Sequence, residues 1–507
     1  MKRRSFLQLI PASAAASPLV QEQGPQAGQT GLPAVAASFA DPPASARPRT
    51  WWHWMNGNIT ADGITRDLEA MARIGVRGVQ IFQAGTGIPK GPVDYGSQEH
   101  LKLLVHALNE AERLGIECDF HNCPGWSSSG GPWNGPEHSM KVVTWTERTI
   151  EGGRRIELPL PQPPARLNFY RDIAVLACPA PAAEKPLRPL LRAARATTAQ
   201  GAAQAELGPA QIGLLFGDDP RSGVAVHPAG PGSPGSLTLE FSGPVELRSV
   251  SFFAVPDGPG AGGPGAPAGA PAVEYSTDGA RWEKAADLNL NTGNVLDGFP
   301  LAPVTVSFAA RQGRFWRIVL PQARRISMLR LSGAARLQNW PVKANYLHHA
   351  RGRASELEAP TPDAAAGSAI DSSRVADLTS RLRSDGVLEW DAPAGSWVVL
   401  RIGYTTTART NHPGPDGGVG LECDKYSAEA MDHHFQGFFG PILEDLERLG
   451  KRGLAGGLID SYEVGMQNWT DRFREEFRRR AGYDPLKYLP AFTGRLVDSA
   501  DTAEMFL

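Results

Sequence analysis

Cysteine is scarce in this chain. Four thiols in 507 residues, Cys118, Cys123, Cys178 and Cys423, show none of the paired spacings of a zinc site and are too few to staple a scaffold of this length. Cys118 and Cys123 are near neighbours, but both flank an expected strand end, and no bond between them is expected. No apolar run reaches the roughly 18 residues that would cross a bilayer. Charge of one sign is also missing: 51 Lys and Arg stand against 53 Asp and Glu, a net −2, without a lysine-rich run. That balance argues against nucleic acid or an anionic membrane as partner and leaves a neutral one. Motifs are absent too. No G-x-G-x-x-G follows the first strand, no P-loop lysine motif occurs, and Ser128 has no G-x-S-x-G around it, which counts against a dinucleotide fold, phosphate cradling and a serine hydrolase.

What is present starts with length, enough for two or three domains. MKRRSFLQLI, with Arg3 and Arg4 before Phe6 and Leu7 and then ASAAAS, has the layout of a Tat-type export signal, with cleavage expected after Ala14, Ala16 or Ala36. Export would place the protein in the periplasm or outside the cell. Residues 1–49 then form signal and linker. From 50 the pattern alternates. TWWHWMNGN (50–58) reads as a strand, Thr60 caps a helix with Ile64, Leu68 and Met71 on one face, and Gly75 ends it. GVQIF (78–82) is the second strand, Ser97 caps a helix carrying Leu104, Leu108 and Ala111, and IECDFHN (116–122) is the third strand. Strands separated by such helices imply parallel βαβ units. Polar residues at their ends are where a (β/α)8 barrel keeps its active site.

Residues 142–400 read differently, as short strands rich in Pro and Gly, with one alanine-rich, helix-like patch near 190–206. This predicts inserted β-sandwich material, and VEYSTDGARWEK with GRFWRIVL resembles a discoidin-like, galactose-binding-type jelly roll near 205–335. The loop 256–272 is too low in complexity to order. The α/β pattern resumes over 401–507: a helix from Ser427, kinked or split at Gly440-Pro441, a strand into DSYE, and a further helix, DRFREEFRRRAG.

Chemistry concentrates in four stretches. Glu463, just past an apolar strand, is the leading proton donor, because a desolvated carboxyl keeps its proton until a leaving oxygen takes it. Asp460 is three residues away, of opposite strand parity, so both face one site only if the strand ends between them. Trp52, His53 and Asn56 suit a sugar, rings to its C–H face and polar groups to its hydroxyls, whereas Trp51 and Trp54 read as core. His121, Asn122 and Trp126 begin a Gly/Ser-rich loop read as substrate-binding. Glu422 stands beside Asp424 in GPDGGVGLECDKYS, where carboxylates suit sugar hydroxyls or Ca²⁺. His53 and His121 alone are a weak metal signal, and the metal ligands stay unknown.

WWHWMNGNIT, CPGWSSSGGPW, GLECDKYS and IDSYEVGMQNWT, in this order, resemble glycoside hydrolase family 106, the α-L-rhamnosidases, over roughly 45–507. The resemblance implies a (β/α)8 catalytic domain interrupted by β-domains, inverting hydrolysis of α-L-rhamnosides, and a calcium ion. It makes Glu463 the general acid and Asp460 a second functional acid. An inverting reaction needs another carboxylate about 6.5–9.5 Å from the acid. The family's base and principal calcium ligands are expected downstream of residue 507, so a C-terminally truncated, inactive chain is expected. The rival expectation is a non-catalytic carbohydrate-binding protein.

Overall fold

The computed structural model describes residues 32–127, 129–199, 203–230, 232–257, 270–290, 299–347, 359–362, 367–448 and 454–507. The expected export signal, Ser128, most of the loop 256–272 and the Gly453 that opens the DSYE strand lie outside them.

Two βα units come first: β1 (Arg49–Met55), α1 (Ala61–Arg73), β2 (Gly78–Ala84), α2 (Gln98–Leu114) and β3 (Glu117–His121). The helices begin where their caps dictate. Thr60 Oγ1 accepts from Gly63 N and Ser97 Oγ from His100 N, relieving amides that have no partner within the first turn. Gly115, at φ 66°, closes α2 in the left-handed conformation that glycine adopts without penalty. Ile64 and Leu68 of α1, with Leu104, Leu108 and Ala111 of α2, are buried against the outer face of the strands. A side chain such as Leu68, fully enclosed, contributes roughly 1.5–3 kcal/mol.

The chain then leaves this layer along β4 (Lys141–Glu151), followed by β5 (Arg171–Pro179), β6 (Leu191–Thr197), β7 (Gly235–Pro256), β8 (Ala272–Ser276), β9 (Glu283–Asp287), β10 (Val304–Leu320), β11 (Arg324–Ser332) and β12 (Ser396–Thr406). These antiparallel strands fall into two main sheets. β12 lies between β4 and β5, and β7 pairs with β6, β10 and β11. The hairpin of β8 and β9 turns at Asp278-Gly279, where Asp278 Oδ1 accepts from the amides of Ala280 and Arg281. The alanine-rich patch is not helical. Residues 191–197 form a strand between β7 and residues 204–206, because these offer a ladder of backbone partners that outweighs alanine's helical preference.

α3 (Ala428–Arg448) returns to the first layer as one unbroken helix with Pro441 inside it. β13 (Leu454–Leu458) pairs parallel with β3, completing a four-stranded parallel sheet in the order β1-β2-β3-β13. After it come α4 (Phe473–Ala481) and a short helix over Ala500–Phe506. Not all of residues 401–507 join this layer. Instead Trp469, Leu489 and Phe492 pack with Trp340, Tyr346 and Ile402 against the β4–β12–β5 sheet.

Candidate active site

The carboxyl ends of the four parallel strands gather most of the polar and aromatic residues singled out above. His53 of β1 pairs in register with Phe82 of β2, and His121 of β3 with Leu458 of β13. On this face the rings stack edge to edge of the sheet. His53 and Phe82 centroids are 5.5 Å apart and those of Phe82 and His121 4.5 Å. Trp51, 55% exposed, joins them 5.1 Å from Phe82. Trp52 and Trp54 point the other way. Trp52 Nε1 donates to Asp67 Oδ2 of α1, and both indoles are buried in the helix layer. Trp51, and not the expected Trp52, shares the open face with His53, because alternation puts the two indoles on opposite faces and the docked helices claim Trp52.

Asn56 also serves the frame. At φ 46° and buried, it donates from Nδ2 to Ile88 O (2.8 Å) and accepts at Oδ1 from Asp416 N (2.9 Å). Asn122 is buried, its amide on Leu458 O (2.7 Å). Trp126 meets solvent, 38% exposed and edge-on to His53 at 6.3 Å.

Helix α3 clamps this loop at both ends. His434 Nε2 donates to Asn122 O (2.9 Å) while its Nδ1 accepts from Trp133 Nε1 (3.0 Å), and His433 Nε2 donates to Trp133 O (2.9 Å). This pattern requires a neutral His434, and burial lowers it to about 4. His100, against Gln83 Oε1 at 2.8 Å, is likewise lowered by burial to about 4. Both groups take up protons more readily unfolded, so their stabilisation is whole above pH 6.5 and is lost as pH falls toward 4. Urea unfolding at pH 5 should show a loss of about 2 kcal/mol per histidine relative to pH 7. His434→Gln should remove about half of that slope, and an unchanged slope would contradict the assignment.

His121 is buried too. Its Nδ1 donates to Cys123 O (2.9 Å), which leaves Nε2 a bare acceptor with no partner among the described residues. Burial lowers the imidazole, opposed by the Cys123 carbonyl and the Asp460 and Glu422 carboxylates, which places those acids near it. Glu422 is fully enclosed. Oε2 accepts from Lys425 Nζ (2.8 Å) and Ser129 Oγ (3.3 Å), whereas Oε1 has no partner among the described residues. Oε1 lies so close to Gly130 that a Cβ there would sit 2.7 Å away, so a side chain at residue 130 would displace the carboxylate.

Asp460 and Glu463 stand on the loop leaving β13, which ends at Leu458, so strand parity no longer separates them. Both are exposed, Glu463 lacking the apolar cover expected for it. Tyr462 and Tyr426 flank them; burial, with Tyr426, Glu422 and Asp424, pushes Tyr462 up to about 12. The loop is anchored behind the acids. Asp424 accepts from Gln467 Nε2 (2.7 Å), Thr470 Oγ1 (2.7 Å) and Tyr426 N (2.9 Å), with Lys141 Nζ at 3.9 Å. Arg409, half-buried and without an ion pair among the described residues, packs its guanidinium on Gly465. Sequence reasoning missed Arg409, Lys141 and Gln467, which have no local signature. Tyr426 and Tyr462 could have been found, being inside DKYS and DSYE.

Acids, imidazoles and exposed indoles collected at the ends of parallel strands define a class: an α/β protein with its polar and aromatic side chains gathered at the carboxyl end of the sheet. The model of glycoside hydrolase family 106, described as alpha-L-rhamnosidase, matches residues 40–507, and the chain belongs to that family. A rhamnosidase structure from Novosphingobium sp. PP1Y superposes with a TM-score of 0.77 at 34% identity, over 93% of this chain and 43% of that one. A Formosa agariphila protein named "Putative beta-glucuronidase" is 31% identical over 95% of this chain and 28% of its own length. The chain thus spans less than half of either relative.

Proposed function

We propose that this chain carries the proton-donating part of an inverting glycosidase site for terminal α-L-rhamnosides of glycans or glycosides. In this reading the parallel sheet is part of a (β/α)8 barrel, the antiparallel sheet of β7 is a discoidin-like jelly roll, and a Tat-type leader exports the protein. One observation carries it: Asp460 and Glu463 follow directly on the end of a parallel strand, on a loop whose Asp460 acts on His121, the ring that stacks on Phe82 beside His53. The rings cover the sugar's C–H face, and the bound pyranose supplies the apolar cover that exposed Glu463 lacks. Glu463 then gives its proton to the glycosidic oxygen, with Asp460 beside it orienting a hydroxyl. The base is assigned to no described residue, so slow turnover by the 507-residue polypeptide belongs to the proposal.

The calcium ion that the resemblance implies fits poorly. Glu422 Oε1 is one unpartnered oxygen, and among the described residues no group of three His, Cys, Asp or Glu side chains is placed to hold a metal.

A panel of aryl glycosides tests the reading. Selective cleavage or binding of the α-L-rhamnoside supports it, and preference for a β-D-glucuronide would replace it with the activity in the Formosa protein's name. Trp126→Ala should weaken rhamnoside binding about fivefold, on the order of 1 kcal/mol, as read by intrinsic fluorescence titration. Unchanged affinity would remove Trp126 from the site.

A further inference from the structure

We propose that a cavity in the inserted β region, sharing no residue with the acid-bearing loop, binds a carboxylate-bearing saccharide unit, a uronic acid. The cavity, about 410 Å³, opens where β4, β11 and the start of β6 meet the segment Glu184–Arg188. That is room for one or two sugar rings.

Its wall carries five cations, Arg148, Lys185, Arg188, Arg330 and Arg336, against three carboxylates, Glu147, Glu184 and Asp218. The carboxylates are already committed. Asp218 takes Arg148 (2.6 Å) and Arg330 (2.8 Å), Glu184 takes Arg336 and Arg495 (2.8 Å each), and Glu147 takes Arg495 (2.7 Å). Burial raises Glu147, but Arg495, Arg330 and Arg336 outweigh it and hold the carboxyl at about 2, so it stays ionised and bound to them. Among the described residues Lys185 and Arg188 pair with no carboxylate. Arg188 instead lies over the Phe216 ring at 5.2 Å.

Two polar atoms on the wall's residues want partners. Among the described residues Arg336 Nη1, on a side chain only 9% exposed, has no acceptor, and Glu184 Oε2 has no donor. An inorganic anion would serve the cations and leave the cavity's apolar side uncovered. A saccharide brings hydroxyls that donate as well as accept. Its C–H face also suits the apolar side of the cavity, Leu187, Leu191, Phe216 and Leu331. A carboxylate on the same ring matches the guanidinium fork and the surplus positive charge. One uronic acid unit meets all three demands.

Calorimetric titration of the purified polypeptide with D-glucuronate and D-galacturonate, beside D-glucose, D-galactose and sulfate, tests this. Uronates should bind at least tenfold more tightly than their neutral counterparts and than sulfate. The Lys185→Gln/Arg188→Gln variant changes two exposed side chains outside the buried ion pairs. It should weaken uronate binding at least tenfold with the melting temperature and L-rhamnose binding unchanged. No uronate binding, equal binding of neutral sugars, or an unaffected variant overturns the proposal. Sulfate binding as tightly as uronate overturns its saccharide part.

Discussion

Supplied with azide, the 507-residue polypeptide should cleave an aryl α-L-rhamnoside and release β-L-rhamnosyl azide, and Glu463→Gln should slow that reaction about 10²- to 10⁴-fold. The logic lies in dividing an inverting displacement into its two halves. Azide forms the new bond to the anomeric carbon from the face opposite the leaving group, standing in for base-activated water. In the proposed reaction Glu463 protonates the departing oxygen as the C–O bond breaks. A poor leaving group such as an unsubstituted phenol needs that proton, and dinitrophenolate does not. The Glu463→Gln deficit should therefore be large for the first substrate and nearly absent for the second. An equal deficit for both would show a structural role only. Retained stereochemistry of the azide product would refute inversion.

Asp424→Ala should cost about 3–5 kcal/mol of stability and free the acid-bearing loop. Asp424 and Lys141 are each about 1% exposed, and the aspartate also holds Gln467 and Thr470, the residues that carry the chain back from Glu463. Burial pulls Lys141 below the ordinary lysine range and Asp424 opposes it, so removing the carboxylate leaves an ammonium in the interior supported chiefly by the carbonyls of Glu137 and Ser139. Urea midpoints measure the loss, and limited proteolysis near residue 463 reports the loop. Adding Lys141→Met should recover part of the stability, because the buried charge is then gone. Failure of the second change to recover any would mean that Asp424 acts through its hydrogen bonds alone.

The helices and parallel strands of the first layer were legible because their signals are local: Thr60 and Ser97 cap, Gly115 stops, and the apolar residues recur at helical spacing. The acidic loop was legible for a similar reason, an apolar strand ending abruptly in polar residues. What failed depends on partners distant in sequence. Alternation separates Trp51 from Trp52, but only the docking of α1 decides which indole is buried. Alanines 193, 194 and 196 have no preference for a strand, and β7 confers it. Asp424 and Gln467 meet across 43 positions, and nothing in either segment announces the other.

Lys141 and Thr406 are Cα partners in the β4–β12 pairing, and Thr407 N bonds Met140 O (2.8 Å). The excursion between them therefore begins and ends at one point of the scaffold, like a branch grafted at a node. Doubling the length of such an excursion adds only about 0.6 kcal/mol of closure entropy. Selection can lengthen, trim or exchange what hangs from the node without changing the register of β1, β2, β3 and β13. The proline- and glycine-rich loops of the insert are where such drift would first accumulate, while the strand ends holding the acids keep their spacing.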